Sequence, residues 1–238
     1  MNKKSKQIII AIDGPSGAGK STLSRRLADC LEYINIDTGA MYRCVALTAL
    51  QQKIDPDNPE QLGDLARLID IDFRRGAQGE RVMLNGVDVT DTIRTPEVSL
   101  MTSRIAAVPS VREAMVEKQR AMGEGGGVVL EGRDIGSVVF PRADVKFFLI
   151  ASAEERGRRR HTELAAKGID VDLQQTIAEV EERDAADSQR THSPLRRTED
   201  AVLIDSDNLS IDEVLSKMMA VIEQRMAGDG PGGRESVN

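Results

Sequence analysis

The chain has no tryptophan, and aromatic residues make up only 3% of its 238 positions. A surface that stacks the bases of a long nucleic acid normally needs more rings. The formal net charge of −7 points the same way, because binding to a polyphosphate backbone rests on excess Lys and Arg. A small anion held in a locally basic cleft remains compatible with that charge. Cysteine is scarce: Cys30 and Cys44 share no CxxC spacing, and each falls in an expected helix among apolar neighbours. We read both as buried, reduced thiols of a cytoplasmic protein rather than as a disulfide framework. The two histidines, His161 and His192, lie in polar stretches without ligand spacing, which argues against zinc. No run approaches the ~20 apolar residues of a membrane span, so no membrane partner is expected. The opening "MNKKSKQ" is basic but leads into a strand-length run, unlike a signal peptide. The tail "GDGPGGRESVN" has the composition of a disordered segment.

What the chain does have is 40% hydrophobic residues, enough for a sizeable core. Five short apolar runs stand out: Gln7–Ala11, Tyr33–Asp37, Gly127–Glu131, Val145–Ala151 and Ala201–Asp205. None alternates strictly, as expected of strands buried on both faces. Helical patterns separate them. The rhythm predicts an α/β fold, a five-stranded parallel sheet with helices on both faces. Capping patterns mark helix starts at Ser110 with Glu113, Ser152 with Glu155, Asp172 with Gln175, and Ser210 with Glu213. Thr95-Pro96 fits an N-cap followed by proline, and Gly123 and Gly168 fit stops. Residues 70–90 break the rhythm. Asn85-Gly86 between apolar residues is a hairpin signal, and predicts a small antiparallel sheet inserted between about Leu65 and Thr95.

Between the first run and a helix marked by Leu23, Leu27 and Leu31 lies "GPSGAGKST". It comprises Gly14, Pro15, Ser16, Gly17, Ala18, Gly19, Lys20, Ser21 and Thr22. The first eight match G-x-x-x-x-G-K-[ST]. Glycines let backbone N–H groups converge on one anion, and the helix start adds its positive end. Lys20 supplies a point charge for β- and γ-phosphates, and the Ser21 hydroxyl suits Mg²⁺. The context of strand, loop and helix makes this a nucleoside triphosphate cradle. It does not identify what the triphosphate is used for. The "NKxD" element of many GTPases is absent.

Two further segments reach the C-terminal edge of the expected sheet, where open α/β folds bind ligands. "DTGAMYR" carries Asp37, Thr38, Tyr42 and Arg43, and Thr38 also reads as a helix N-cap. "EGRDIG" brings Glu131, Arg133 and Asp134, three charges that are costly after a buried strand unless something binds them. Two arginine-rich helices follow the fourth strand. Glu154–Arg158, Glu155–Arg159 and Glu179–Arg183 are spaced as i,i+4 pairs of solvated helices. Arg183, Asp187 and Arg190 share a face of the second helix, and the pair could instead fold over a triphosphate as an arginine-lined lid.

In order along the chain, "IDGPSGAGKST", "DTGAMYR", "VREAMVEKQR", "LEGRDIGSVVFP", "ASAEERGRRR" and "EERDAADSQR" resemble the bacterial cytidylate kinases, a branch of the nucleoside monophosphate kinases. The resemblance runs from Ile8 to about Met226. It implies ATP as phosphoryl donor, Mg²⁺ as metal, and CMP and dCMP as acceptors. It implies that Arg43, Arg133 and Arg190 hold the acceptor and transferring phosphates, with Lys20, Arg133 and Arg190 as the catalytic charges. Ser103, Arg112 and Asp134 resemble the residues that read cytosine, and Asp187 with Arg183 the group facing the sugar. Arg156 and Arg160 belong to the lid over ATP. Some members have glycine where this chain has Ser21. The expected division is a core of about 7–64, 96–151 and 198–227, an acceptor-side insertion of about 65–95, a helical lid of about 152–197 and a tail of about 228–238. A monomer is expected. A kinase with a different small acceptor and a non-enzymatic nucleotide switch are the rival readings.

Overall fold

The computed structural model describes residues 7–76, 79–166, 168–190 and 193–228. The opening six residues, His192 and the tail from 229 onward lie outside the described residues. The five apolar runs form one parallel sheet. Its strands are β1 (Ile9–Asp13), β2 (Ile34–Asp37), β6 (Val128–Gly132), β7 (Val145–Ile150) and β8 (Val202–Asp205), in the order β2-β6-β1-β7-β8. The first strand therefore sits at the centre. Ile10 pairs with Val129 on one side and with Val145 on the other, and all pairings are parallel. Burial on both faces explains the unbroken apolar runs: Ile10, Ala11, Ile12, Val129 and Leu130 are fully buried.

Helices cover both faces and divide the core in two. On one face α1 (Lys20–Leu31) and α8 (Ile211–Gly228) pack Leu23, Leu27, Val214 and Met218 against Ile12 and Phe147. On the other, α2 (Thr38–Gln51), α3 (Pro59–Leu68), α4 (Pro96–Ile105) and α5 (Pro109–Gly123) enclose Met41, Leu62, Ile105 and Met115. Helices α6 (Ala153–Ala166) and α7 (Leu173–Gln189) form a separate hairpin after β7.

The inserted sheet is present as β3 (Ile71–Gly76), β4 (Gly79–Leu84) and β5 (Val87–Asp88), ordered β3-β4-β5 and antiparallel. Asn85 at φ 49° and Gly86 at φ 81° make the turn from β4 to β5, the left-handed pair that such a hairpin needs. The inserted sheet is tied to the core. Asn35 Nδ2 donates to Glu80 at 2.7 Å, and Arg75 donates to the carbonyls of Ala28 and Tyr33.

Most expected caps form. The Thr95 hydroxyl accepts from Val98 N–H, Asp172 from Gln175 N–H and Ser152 from Glu155 N–H, and Ser210 and Glu213 cap each other reciprocally. Ser110 does not cap. Pro109 occupies the first helical position, Val108 is the N-cap, and the Ser110 hydroxyl donates to the Pro59 carbonyl instead. The two thiols differ: Cys44 is buried, but Cys30 is exposed. Helix α1 buries Lys20, Leu23, Ser24, Leu27 and Ala28. Cys30, two positions past Ala28, is rotated by about 200° from it and faces outward.

Candidate active site

The phosphate loop is shaped by backbone that only glycine fits well. At Gly14, φ is 151° and a Cβ would lie 2.1 Å from the Leu149 carbonyl oxygen. Gly19 is the N-cap of α1 at φ 92° with no side-chain cap, so the first-turn amides keep their hydrogen-bonding capacity for another acceptor. Ser21 and Thr22 are exposed in that first turn. Lys20 is buried and folds back, its Nζ donating to the Pro15 carbonyl at 2.6 Å. Burial first and Arg133 next pull its pKa down to about 7, against the opposing pull of Glu131, Asp13 and Asp187. Those groups mark what surrounds the ammonium.

Opposite lies the end of β6. Glu131 is buried, and burial followed by the nearby Asp37 raises its pKa, against Lys20, Ser21 and Arg133. Its Oε1 is buried with no hydrogen-bond partner among the described residues. Thr38 is not the N-cap of α2. Asp37 takes that place, accepting from Ala40 N–H at 2.9 Å, and the Thr38 hydroxyl donates to the Glu131 carbonyl at 2.6 Å. The chain ahead is a β-strand end, so Asp37 is the last residue with extended backbone and is free to cap.

Arg133 Nε donates to Asp187 Oδ2 at 2.7 Å, and Arg190 pairs with Asp187 Oδ1. Asp187 is buried, which alone would raise its pKa, yet the arginines, Arg133 foremost, hold it below the usual carboxylate value. Arg183 is exposed, within electrostatic reach of Arg133, Asp187, Arg43 and Arg160. These residues bring guanidiniums and carboxylates together beside Lys20, whose charge both Arg133 and Asp187 influence. Next to it Arg112 and Asp134 form a buried ion pair, and the Arg112 guanidinium sits 5.8 Å from the centroid of the Tyr42 ring. Burial pushes the Tyr42 phenol up to about 12.

Not every sequence-predicted residue joins this cluster. Ser103 is exposed on α4, and its hydroxyl donates to the Ser99 carbonyl of its own helix. Arg160 is exposed and contacts Glu163. Arg156 is buried as a strut: it donates to the carbonyls of Ala151 and Ser16 and pairs with Asp184 at 2.6 Å. Of the expected helical pairs, Glu155–Arg159 forms, at 2.9 Å, whereas Arg158 turns to Glu155 rather than Glu154, and Glu179 accepts from Gln175. Asp13, which the sequence reading gave no role, and Glu131, which it placed at the sheet edge without a specific task, both lie beside Lys20 in the charge cluster. The signal for both is a carboxylate at the end of a strand buried on both faces. A concavity of about 650 Å³ lined by Ile9, Arg120 and Phe140 opens at the other end of β1 and contains none of these groups.

The comparisons with known proteins bear on this arrangement. A sequence model of the family described as cytidylate kinase matches residues 10–224. A cytidylate kinase of Syntrophotalea carbinolica is 62% identical over 220 residues, which cover 92% of this chain and 94% of that protein. One of Geobacter sulfurreducens is 58% identical, with the same coverage of each chain. Among solved structures, an uncharacterized protein from Eubacterium ventriosum shares the fold at TM-score 0.51 and 13% identity, covering 92% of this chain and 99% of that one. With a family model matching residues 10–224 and identity of this order over nearly the whole length, the chain belongs to the cytidylate kinase family.

Proposed function

We propose that the protein transfers the γ-phosphate of ATP to CMP, and also to dCMP, giving the corresponding diphosphates. The observation that carries this reading is the buried Arg112–Asp134 pair placed beside the Lys20–Arg133–Asp187 cluster. Cytosine offers an amino donor at N4 and acceptors at N3 and O2. A carboxylate matches the donor and a guanidinium the acceptors. Family membership and relatives named cytidylate kinase support the same substrate.

On this reading Gly14, Pro15, Ser16, Gly17, Ala18, Gly19 and Thr22 cradle the donor phosphates, and Lys20 neutralises charge between the β- and γ-phosphates. Arg43, Arg133 and Arg190 grip the acceptor and transferring phosphates, while Asp187 holds two of these guanidiniums in place. Asp37, Thr38 and Tyr42 line the acceptor side, Arg183 and Asp187 face the sugar, and Arg156 and Arg160 serve the lid. A phosphate monoester has a second pKa of ~6, so the acceptor oxygen is already an anion at neutral pH. No general base is required. Catalysis then consists of alignment and charge neutralisation. The hard oxygens of Ser21 and Glu131 fit Mg²⁺, and the unpartnered buried Oε1 of Glu131 is what that fit rests on. When bound, the metal would offset phosphate charge.

The core, insertion and lid boundaries given by the sequence fit this division of labour, with a monomer as the working unit. The test is an acceptor panel with ATP and Mg²⁺. Turnover with CMP and dCMP well above that with AMP, GMP and hydroxyl acceptors is expected. Preference for another acceptor would move the protein to another kinase class, and slow hydrolysis without any acceptor dependence would make it a switch.

A further inference from the structure

Asp13 is the last residue of β1, one step before the phosphate loop. Its side chain is spent on a different segment. Oδ1 accepts from the Ile135 N–H at 2.8 Å and Oδ2 from the Gly136 N–H at 2.7 Å. The two donors open a π-helical turn, Ile135–Val139, a rare backbone form. Directly before them stand Arg133 and Asp134. The parallel ladder between β1 and β6 ends where Asp13 lies opposite Gly132. Beyond that point the carboxylate takes over from the ladder. Its surroundings are tight: Asp13 is 5% exposed, and a Cβ on Gly136 would lie 3.3 Å from Oδ2 and 3.1 Å from Lys146 Cδ.

We propose that Asp13 is a positioning residue for the acceptor nucleotide. By clamping two adjacent amides it fixes Arg133 and Asp134 relative to the phosphate loop that its own backbone begins. The inference rests on the kinase reading above. The chemistry requires a carboxylate. Two N–H donors need two acceptor oxygens, and an amide side chain offers one oxygen and an NH₂ that would confront the second donor. With one contact gone, the turn can rotate. The donor site keeps its own loop and meets Asp13 only through the charge of Lys20, so the loss should fall mainly on the acceptor.

The test compares wild type with Asp13→Asn and Asp13→Ser, each checked by circular dichroism and thermal melting. Wild-type turnover with CMP verifies the parent reading in the same experiment. In the folded variants KM for CMP should rise about tenfold or more while KM for ATP stays within about twofold. The preference for CMP over UMP should narrow, because Asp134 has lost its placement. Equal effects on both substrates, an unchanged CMP:UMP ratio, or failure of both variants to fold would overturn the proposal and leave Asp13 as a support of the strand end. A wild type without CMP-dependent turnover would remove both this proposal and the reading beneath it.

Discussion

Lys20 holds a proton that its surroundings make easy to lose. Burial first, and Arg133 next, draw its pKa from 10.5 to about 7. A bound triphosphate supplies negative charge that reverses this. The sign follows: above pH 7 the free protein has a neutral amine, so ATP binding takes up a proton. Between about pH 7.5 and 9 affinity for ATP should fall by up to roughly tenfold per pH unit. Calorimetry in buffers of different ionisation enthalpy should record the uptake. Lys20→Met should change the uptake, leaving only what the neighbouring Glu131 carboxyl contributes, and lower turnover by about 10²–10³ with the fold intact. A second substitution separates the two substrates. Arg112→Ala leaves Asp134 buried without its partner and should cost about 1–3 kcal/mol in CMP recognition. The KM for CMP should rise while that for ATP does not; equal weakening of both would remove the base-reading role. The sequence reveals Lys20 and Ser21 because the loop's chemistry is local, contained in consecutive residues. Asp13 and Glu131 are not revealed in the same way. The first of the two amides that Asp13 holds belongs to Ile135, 122 positions away, and only folding brings it near.

At the scale of elements, α6 and α7 show what pattern reading can reach. Their sparse apolar positions suggest weak docking. The structure adds a polar root: Arg156 joins α6 to the phosphate loop through Ser16 and to α7 through Asp184. We therefore expect ligand to act on the far turns. A bisubstrate analogue with Mg²⁺ should slow amide exchange around Arg160 to Asp172 more than in the central strands; equal protection with and without ligand would make the hairpin a fixed element. The two helices also meet at Gly157, where a Cβ would lie 2.3 Å from Ile177 Cγ1 and 3.1 Å from Ile177 Cα. Gly157→Ala should pry them apart, speed exchange in both helices and reduce turnover, despite alanine's better helix propensity. Helix starts were legible wherever side chain and backbone lie within one turn, as at Asp172 and Ser210. Ser110 misled because a neighbouring proline claims the first helical position, and its hydroxyl found a partner on α3.

At the scale of the whole molecule, the five-stranded sheet carries a core on each face. Leu27 lies in one and Met115 in the other, both fully buried. Truncating either to alanine should cost about 2–5 kcal/mol. Since the same strands floor both cores, urea melts of both variants should keep one transition; two separate transitions would show the faces to be independent. The alternation of strands and helices made this architecture legible, while the strand order was not, because periodicity does not say which strand neighbours which. That order has a consequence for the chain during synthesis. Ile9 pairs with Val128, about 120 residues later, and ribosomes add ~5–20 residues per second. For several seconds the central strand of the sheet has neither neighbour and must wait, exposed and prone to wrong partners. Until β6 and β7 emerge to flank it, the nascent chain has no sheet edge from which the phosphate loop could hang.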